Sequence, residues 1–272
     1  MPRNTKLILC DIDNTILPHG QGRVSQRTID AFHAALAAGI HVGPASGRGV
    51  DWIPPFFGGD GACCATCLAT NGLQVYLDGK LVHEQLQPHD ALVRLAEILA
   101  DTPRAGLLCF DDATPLLVAG SREDLEGPFP AYAERCVPVD AVPAKVVKAN
   151  VFVDTDETGT RELIARLSRE VPELDFDYAL LGYSNVMPRG YNKGSGARML
   201  CDLLGIGADE AVAFGDGGND LPLFSAVPNS VAVANAQPEA AAAARWHIGR
   251  CDEDAVAKAI EALAAGEWPF SA

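Results

Sequence analysis

The sequence predicts an α/β protein: a doubly wound parallel sheet core into which a second, α+β unit is inserted. Three observations carry that prediction. Apolar runs of strand length, Leu7–Cys10, Ile40–Ala45 and Ala211–Phe214, each give way to polar residues. A helical pattern joins the first two within about 45 residues, as in a right-handed crossover between parallel strands. The alternation breaks off near residue 85 and resumes near 188.

In chain order, Leu7–Cys10 is too short for a helix face and suits a strand buried on both sides. Ser25 caps a helix that carries Ile29, Phe32 and Leu36 on one stripe and stops at Gly39. Residues 51–60, with Pro54-Pro55 and Gly58-Gly59, read as a loop or a broken short helix. Leu68–Val75 leads into a hairpin with arms Val75–Leu77 and Leu81–Val82 and a turn on Asp78-Gly79. Between 85 and 187 the pattern predicts helices at 90–100, 122–135 and 159–171. Its strands are expected at 106–110, 116–119, 146–154, 176–180 and 184–187. Pro188–Asn192 is a loop, and Lys193 opens a helix ending at Leu204. A short strand at Val231–Val233, a helix through Ala240–Ala244 and a last helix at 254–263 complete the chain. The division is therefore 1–84 with 188–272 as core, and 85–187 as the inserted unit.

Composition narrows the function. The net charge of −15, from 36 acids against 21 bases, argues against a nucleic-acid reader, which needs Lys and Arg to neutralise phosphates. A small anionic substrate is not excluded, because its binding is local. No apolar window approaches the length of a membrane span, and the amino-terminal run is shorter than the apolar core of a secretory signal. Eight cysteines in 272 residues are too sparse for a disulfide scaffold, so a cytoplasmic protein with reduced thiols is expected. Cys64-Ala65-Thr66-Cys67, with Cys63 beside it, has the spacing of a redox pair or half a zinc site. No second pair of ligands lies nearby in sequence, so buried small side chains are the expectation. The histidines show no metal-ligand spacing.

The polar residues at the strand ends carry the chemistry. Asp11 and Asp13 follow the first strand, two apart, and share a side if extended geometry persists. Ser46 and Arg48 follow the second strand; Gly215, Asp216, Asn219 and Asp220 follow Ala211–Phe214; Lys193 opens its helix. Ligands of open α/β sheets bind beyond these strand ends. Four carboxylates against one Lys and one Arg require another positive charge. An all-oxygen donor set favours Mg²⁺ over zinc, and Mg²⁺ commonly shares its shell with a phosphate oxygen. Such a site suits a phosphoryl group.

Four ordered motifs now stand out: Asp11-Ile12-Asp13-Asn14-Thr15, Ser46 in Ala45-Ser46-Gly47-Arg48, Lys193 in Asn192-Lys193-Gly194-Ser195-Gly196-Ala197, and Gly215-Asp216-Gly217-Gly218-Asn219-Asp220. With them the chain resembles the haloacid dehalogenase superfamily, in particular the Cof-type phosphatases with a large α/β cap. The likeness extends to Thr70-Asn71-Gly72 and to Val231–Ala236. Asn14 stands where the subfamily commonly has Gly, and Asn tolerates the turn conformations such a position needs.

The resemblance implies a Rossmann-like core, a cap over 85–187 that sets specificity, and hydrolysis of a small phosphorylated metabolite, a sugar phosphate by preference. Asp11 is the implied nucleophile, forming an aspartyl-phosphate, and Asp13 the acid and base; Lys193 completes the catalytic set. Mg²⁺ is implied at Asp11, the Asp13 backbone carbonyl, Asp216 and Asp220. Ser46, Gly47, Arg48, Asn219 and Thr15 are the implied substrate and phosphate contacts, although Thr15 could equally cap its turn and Asp220 the helix at Leu221. Three competing readings remain. They are a phosphomutase or phosphotransferase using the same aspartyl-phosphate, a receiver-type signalling module, which is about half this length, and a non-catalytic phospho-ligand binder, which should lack one of the acids.

Overall fold

The computed structural model describes residues 4–111 and 113–270. Its contacts divide the chain into two compact units, one formed by the residues up to Glu84 with those from Asn192 onward, the other by Gln85–Tyr191.

The first segment runs β1 (Leu7–Cys10), α1 (Gln26–Ala37), β2 (His41–Pro44), β3 (Cys67–Ala69), β4 (Gln74–Leu77) and β5 (Lys80–Glu84). The second unit contains α2 (His89–Ala100), β6 (Ala105–Asp111), β7 (Thr114–Ala119), α3 (Arg122–Glu126), α4 (Pro130–Arg135), β8 (Val137–Pro138), β9 (Ala149–Val153), α5 (Glu157–Glu170), β10 (Leu174–Phe176) and β11 (Tyr183–Pro188). The chain then supplies α6 (Lys193–Leu204), β12 (Ala211–Gly215), α7 (Leu221–Ala226), β13 (Asn229–Ala232), α8 (Pro238–Ala243), β14 (Trp246–His247) and α9 (Ala255–Ala264).

In the first unit the sheet order is β14-β13-β12-β1-β2, every pairing parallel. β1 lies between β12 and β2, with Cys10 opposite Phe214 on one side and Pro44 on the other. All four β1 residues are fully buried because alternate side chains serve opposite layers. Ile8 and Cys10 pack with α1 and α9, through residues such as Phe32 and Ile260. Leu7 and Leu9 pack with α6 and α7, through Ala197, Leu200 and Leu223. A sheet covered on both faces leaves its carboxyl edge as the place for polar groups. The Ser25 side chain accepts the Thr28 N–H and starts α1, and Gly39, at φ 76°, ends it. The β4–β5 hairpin turns on Asp78 and Gly79 at φ 50° and 74°, as a type I′ turn requires.

The second unit is a six-stranded sheet, β10-β11-β9-β6-β7-β8, antiparallel except for β7 with β8. Leu92, Leu95, Leu99, Leu163 and Leu167 of α2 and α5 cover one face. Leu125 and Ala133 of α3 and α4 pack with Leu108 and Phe152 on the other. This unit continues past residue 187, because the Arg189 and Gly190 N–H groups bond back to Glu173 and Asp175.

Several elements differ from expectation. The helix expected over 122–135 is two. Phe129, at φ −147° and ψ 73°, is held out of the helical region by Pro130, which restarts the helix at its first position. The strand expected at 176–180 pairs instead at Leu174–Phe176, and Leu180 keeps only an isolated bridge to Tyr183. The ladder of the strand expected at 146–154 covers Ala149–Val153. Residues 50–64 form three short 3₁₀ turns. The two-residue strands β8 and β14 are too short to show a periodicity. Among the described residues all eight cysteines are free and buried, and no helix is long and apolar enough to cross a membrane.

Candidate active site

Three parallel strands end side by side, and the site is built at their carboxyl edge. Asp11 follows β1, and its N–H donates to the Phe214 carbonyl at 2.9 Å, extending the ladder by one residue. Its side chain is buried. The extended run stops there: Thr15, Ile16 and Leu17 all donate N–H groups to the Ile12 carbonyl, and Asn14 sits at φ 58°. Asn is among the few residues that adopt this conformation readily. The turn separates the two carboxylates that period two would have kept together. Asp13 is half exposed, and Arg48 grips it with two bonds, Nε to Oδ2 at 3.0 Å and a terminal nitrogen to Oδ1 at 2.7 Å. Arg48 also lies over the Phe56 ring at 4.7 Å.

Lys193, the first residue of α6, is fully buried; Asn192 caps that helix by accepting the Ser195 N–H. The ammonium donates to Asp11 Oδ1 at 2.5 Å and to Asp220 Oδ1 at 2.7 Å. Burial alone would lower its proton affinity, but the two carboxylates outweigh that and hold it above the usual lysine range. The other oxygen of Asp220 accepts the N–H groups of Asp216 and Gly217, both at 3.0 Å. This carboxylate therefore fixes the loop after β12 and does not cap the helix at Leu221, where no side-chain cap bond forms. Gly215 makes that approach possible, since a Cβ there would stand 2.5 Å from the Asp220 carboxylate.

Asp216 is buried, and Thr15 donates its hydroxyl hydrogen to Asp216 Oδ1 at 2.9 Å. Thr15, expected among the phosphate contacts, thus orients an acid. Burial, then the Asp220 charge, pushes the Asp216 carboxyl up to about 7 against the pull of Thr15 and Lys193. Burial likewise pushes Asp11 well above the carboxylate range; Lys193 opposes the shift, and Asp220 and Asp216 reinforce it.

Ser46 is buried one residue beyond the bond from Ala45 N–H to the Cys10 carbonyl, which sets it beside the Asp11 strand end. Its hydroxyl accepts the Arg48 N–H at 3.2 Å. Asn219 donates to Asn71 Oδ1 at 3.3 Å. Asn71 lies in a segment that shares the family likeness, but sequence reasoning assigned it no role at the site. It belongs to Thr70-Asn71-Gly72, three successive residues at φ 50°, 53° and 87°, and its N–H bonds the Ser46 carbonyl at 2.8 Å. A Cβ at Gly47 would meet the Asn71 side chain at 3.2 Å, and one at Gly72 would meet the Asn192 carbonyl at 2.6 Å. The structure thus gathers Asp11, Asp216, Asp220, Lys193 and Thr15 into one bonded cluster. Ser46, Gly47, Asn71 and Asn219 form its flank, and Asp13 with Arg48 the solvent side.

The donor set can be tested for a metal from its own chemistry. Asp11, Asp216 and Asp220 each offer a carboxylate oxygen within 4.8 Å of the others, and all three are buried. One ammonium faces three acids, two of which burial already biases toward protonation. Oxygen-only donors with a deficit of positive charge fit a hard divalent cation.

Fold and site together define an α/β enzyme with its acids at the carboxyl edge of a parallel sheet. The chain belongs to the haloacid dehalogenase-like hydrolases, whose family pattern matches residues 8–260. Among its relatives is the 5-amino-6-(5-phospho-D-ribitylamino)uracil phosphatase YbjI of Escherichia coli, 26% identical over 97% of this chain and 98% of that protein. The structure of SMU.1108c from Streptococcus mutans superposes with a TM-score of 0.85, covering 96% of this chain and 99% of that one at 21% identity. BT4131, described as a subclass IIB sugar phosphatase of the same superfamily, gives a TM-score of 0.79 over 95% and 99% of the two chains at 20% identity. At such identities the two structures speak for the fold alone.

Proposed function

We propose that this protein is a Mg²⁺-dependent phosphatase that hydrolyses a small phosphate monoester, a sugar phosphate, through an aspartyl-phosphate on Asp11. The observation that carries the proposal is the buried trio Asp11, Asp216 and Asp220 around the fully buried Lys193. The sugar-phosphate class draws on family membership and on the names of BT4131 and YbjI.

Lys193 occupies one oxygen of Asp11 and leaves the other to attack phosphorus. The new bond joins that oxygen to phosphorus as the ester P–O bond breaks, and Asp13 gives the leaving alcohol its proton. Asp13 then takes a proton from water as the water oxygen attacks phosphorus; the Asp11–phosphorus bond breaks and inorganic phosphate leaves. Half-exposed Asp13 can exchange that proton with solvent, and Arg48 orients it by two bonds. Lys193, Ser46, Gly47 and Asn219 hold the phosphate oxygens, and Thr15 steadies Asp216. Asp11, the Asp13 carbonyl and Asp216 would hold Mg²⁺, with Asp220 direct or through water. When bound, the ion offsets negative charge on the phosphoryl group. The second unit, Gln85–Tyr191, acts as the specificity cap, and free thiols suit a reducing cytoplasm.

Phosphate release from a panel of sugar phosphates, nucleotides and other monoesters, with Mg²⁺ and with chelator, tests this reading. Metal-dependent release from one or a few sugar phosphates supports it. Transfer to an acceptor hydroxyl without phosphate release would instead mark a mutase.

A further inference from the structure

The same unit holds a second set of potential ligands that shares no residue with the acidic cluster. His33 projects from α1, and Asp60 and Cys63 belong to the turn at Gly61–Cys64. One donor atom from each lies within 4.8 Å of the other two. His33 Nε2 stands 2.7 Å from Asp60 Oδ2, while Asp60 Oδ1 accepts the Ala62 N–H at 3.1 Å and caps the turn that carries Cys63. The His33 and Asp60 side chains are 47% and 33% exposed, whereas Cys63 is fully buried beneath them.

An exposed His–Asp pair alone contributes little to stability and needs no further explanation. A sulfur within reach of both changes the chemistry. Imidazole nitrogen, thiolate sulfur and carboxylate oxygen are zinc's three protein ligand types, and a thiolate is foreign to Mg²⁺. Tetrahedral bonds of about 2.0–2.3 Å place ligand atoms roughly 3.3–3.8 Å apart. The three donor atoms lie no more than 4.8 Å apart, and the 2.7 Å His33–Asp60 contact can widen to that range by movement of two side chains that face solvent. Sequence spacing hid the set, because 27 residues separate His33 from Asp60.

We propose that His33, Asp60 and Cys63 form a zinc-binding site that ties α1 to the Gly61–Cys64 turn, with a fourth position open to water. Binding exchanges the thiol proton for the metal: the Cys63 S–H bond breaks, an S–Zn bond forms, and one proton leaves to solvent. Burial pushes the Cys63 thiol up to about 12, so the thiolate arises with the metal and not before it.

The test uses the full chain, stripped of metal and then saturated with Mg²⁺, titrated with Zn²⁺ by calorimetry and with Co²⁺ by absorption. The expected result is one Zn²⁺ equivalent that Mg²⁺ does not displace and a thiolate-to-cobalt charge-transfer band. His33→Ala, an exposed change that leaves the core intact, should weaken Zn²⁺ at least ~10-fold and leave Mg²⁺-supported phosphate release unchanged. Cys63→Ser should abolish the band. An Asp216→Asn protein should still take up the equivalent, which separates this site from the acidic one and keeps the test independent of the proposed phosphatase activity. No Zn²⁺ uptake with Mg²⁺ present, or equal affinity in His33→Ala, overturns the proposal.

Discussion

The two sides of the candidate active site are built on opposite electrostatic plans. On the closed side, Lys193 is fully buried between Asp11 and Asp220 at 2.5 and 2.7 Å, and Asp216 beside them accepts its bond from the neutral Thr15 hydroxyl. On the open side, Asp13 and Arg48 make an equally short pair at 2.7 Å, but half of the Asp13 side chain and 31% of Arg48 face solvent. Shielding from solvent makes the first arrangement costly to disturb, and solvent screening makes the second cheap to rearrange. A nucleophile needs a fixed position, while an acid and base needs to exchange protons with water. The difference between these neighbours in sequence matches that division of labour.

Asp11→Asn is the largest expected effect. It preserves shape and removes the proposed nucleophile, so turnover should fall by at least ~10⁴-fold while the thermal midpoint is kept or raised. Retained activity in the purified, folded variant breaks the comparison at its centre.

Lys193→Met should cost both sides of the ledger, activity and fold. Removing the cation strands buried carboxylates, a loss of about 3–5 kcal/mol where no proton can compensate. Urea unfolding should show that loss growing as pH rises above neutral and shrinking toward acid pH, since protonated acids need no partner.

The closed side should also make stability depend on pH when metal is withheld. Asp216 titrates near 7 in the folded chain, above the ordinary 3.8 of an unfolded one. The folded state therefore holds more protons between those values, and stability falls as pH rises from about 4 to about 7. Asp11 is shifted in the same direction. Added Mg²⁺ should reverse the loss, with a stabilisation that grows with pH across that window. A thermal midpoint flat in pH and indifferent to Mg²⁺ would contradict the account of the acid cluster.

Arg48→Ala is the smallest perturbation. The exposed pair should be worth no more than about 1 kcal/mol in unfolding measurements, whereas loss of Asp13 orientation should slow turnover by roughly 10-fold. A stability loss as large as that of Lys193→Met would erase the distinction between the two sides.

Much of this arrangement is legible in the sequence, because a buried parallel strand cannot end in an acid without a reason. Leu7–Cys10 before Asp11, and Ala211–Phe214 before Gly215-Asp216, carry the sheet and its chemistry in one reading. What the sequence hides are relations that depend on turns. Asp11 and Asp13 diverge because the chain folds back onto the Ile12 carbonyl, and no alternation pattern reports that. Thr15 reaches Asp216 across 201 positions, and Asp220 draws two N–H groups from its own loop, contacts set by packing and not by spacing. Asn71 takes its place through a left-handed segment that composition alone does not distinguish from an ordinary loop. In the second unit, Phe129-Pro130 breaks a helix whose apolar pattern runs straight through the break.

The most direct test of the central claim is to trap the covalent intermediate. Protein turning over a sugar phosphate with Mg²⁺ is quenched in acid, digested and read by mass spectrometry. The account predicts a phosphoryl group on the peptide bearing Asp11, absent when chelator replaces Mg²⁺ and absent in Asp11→Asn. Turnover with no phosphorylated peptide, or with the phosphoryl group on another residue, would contradict it.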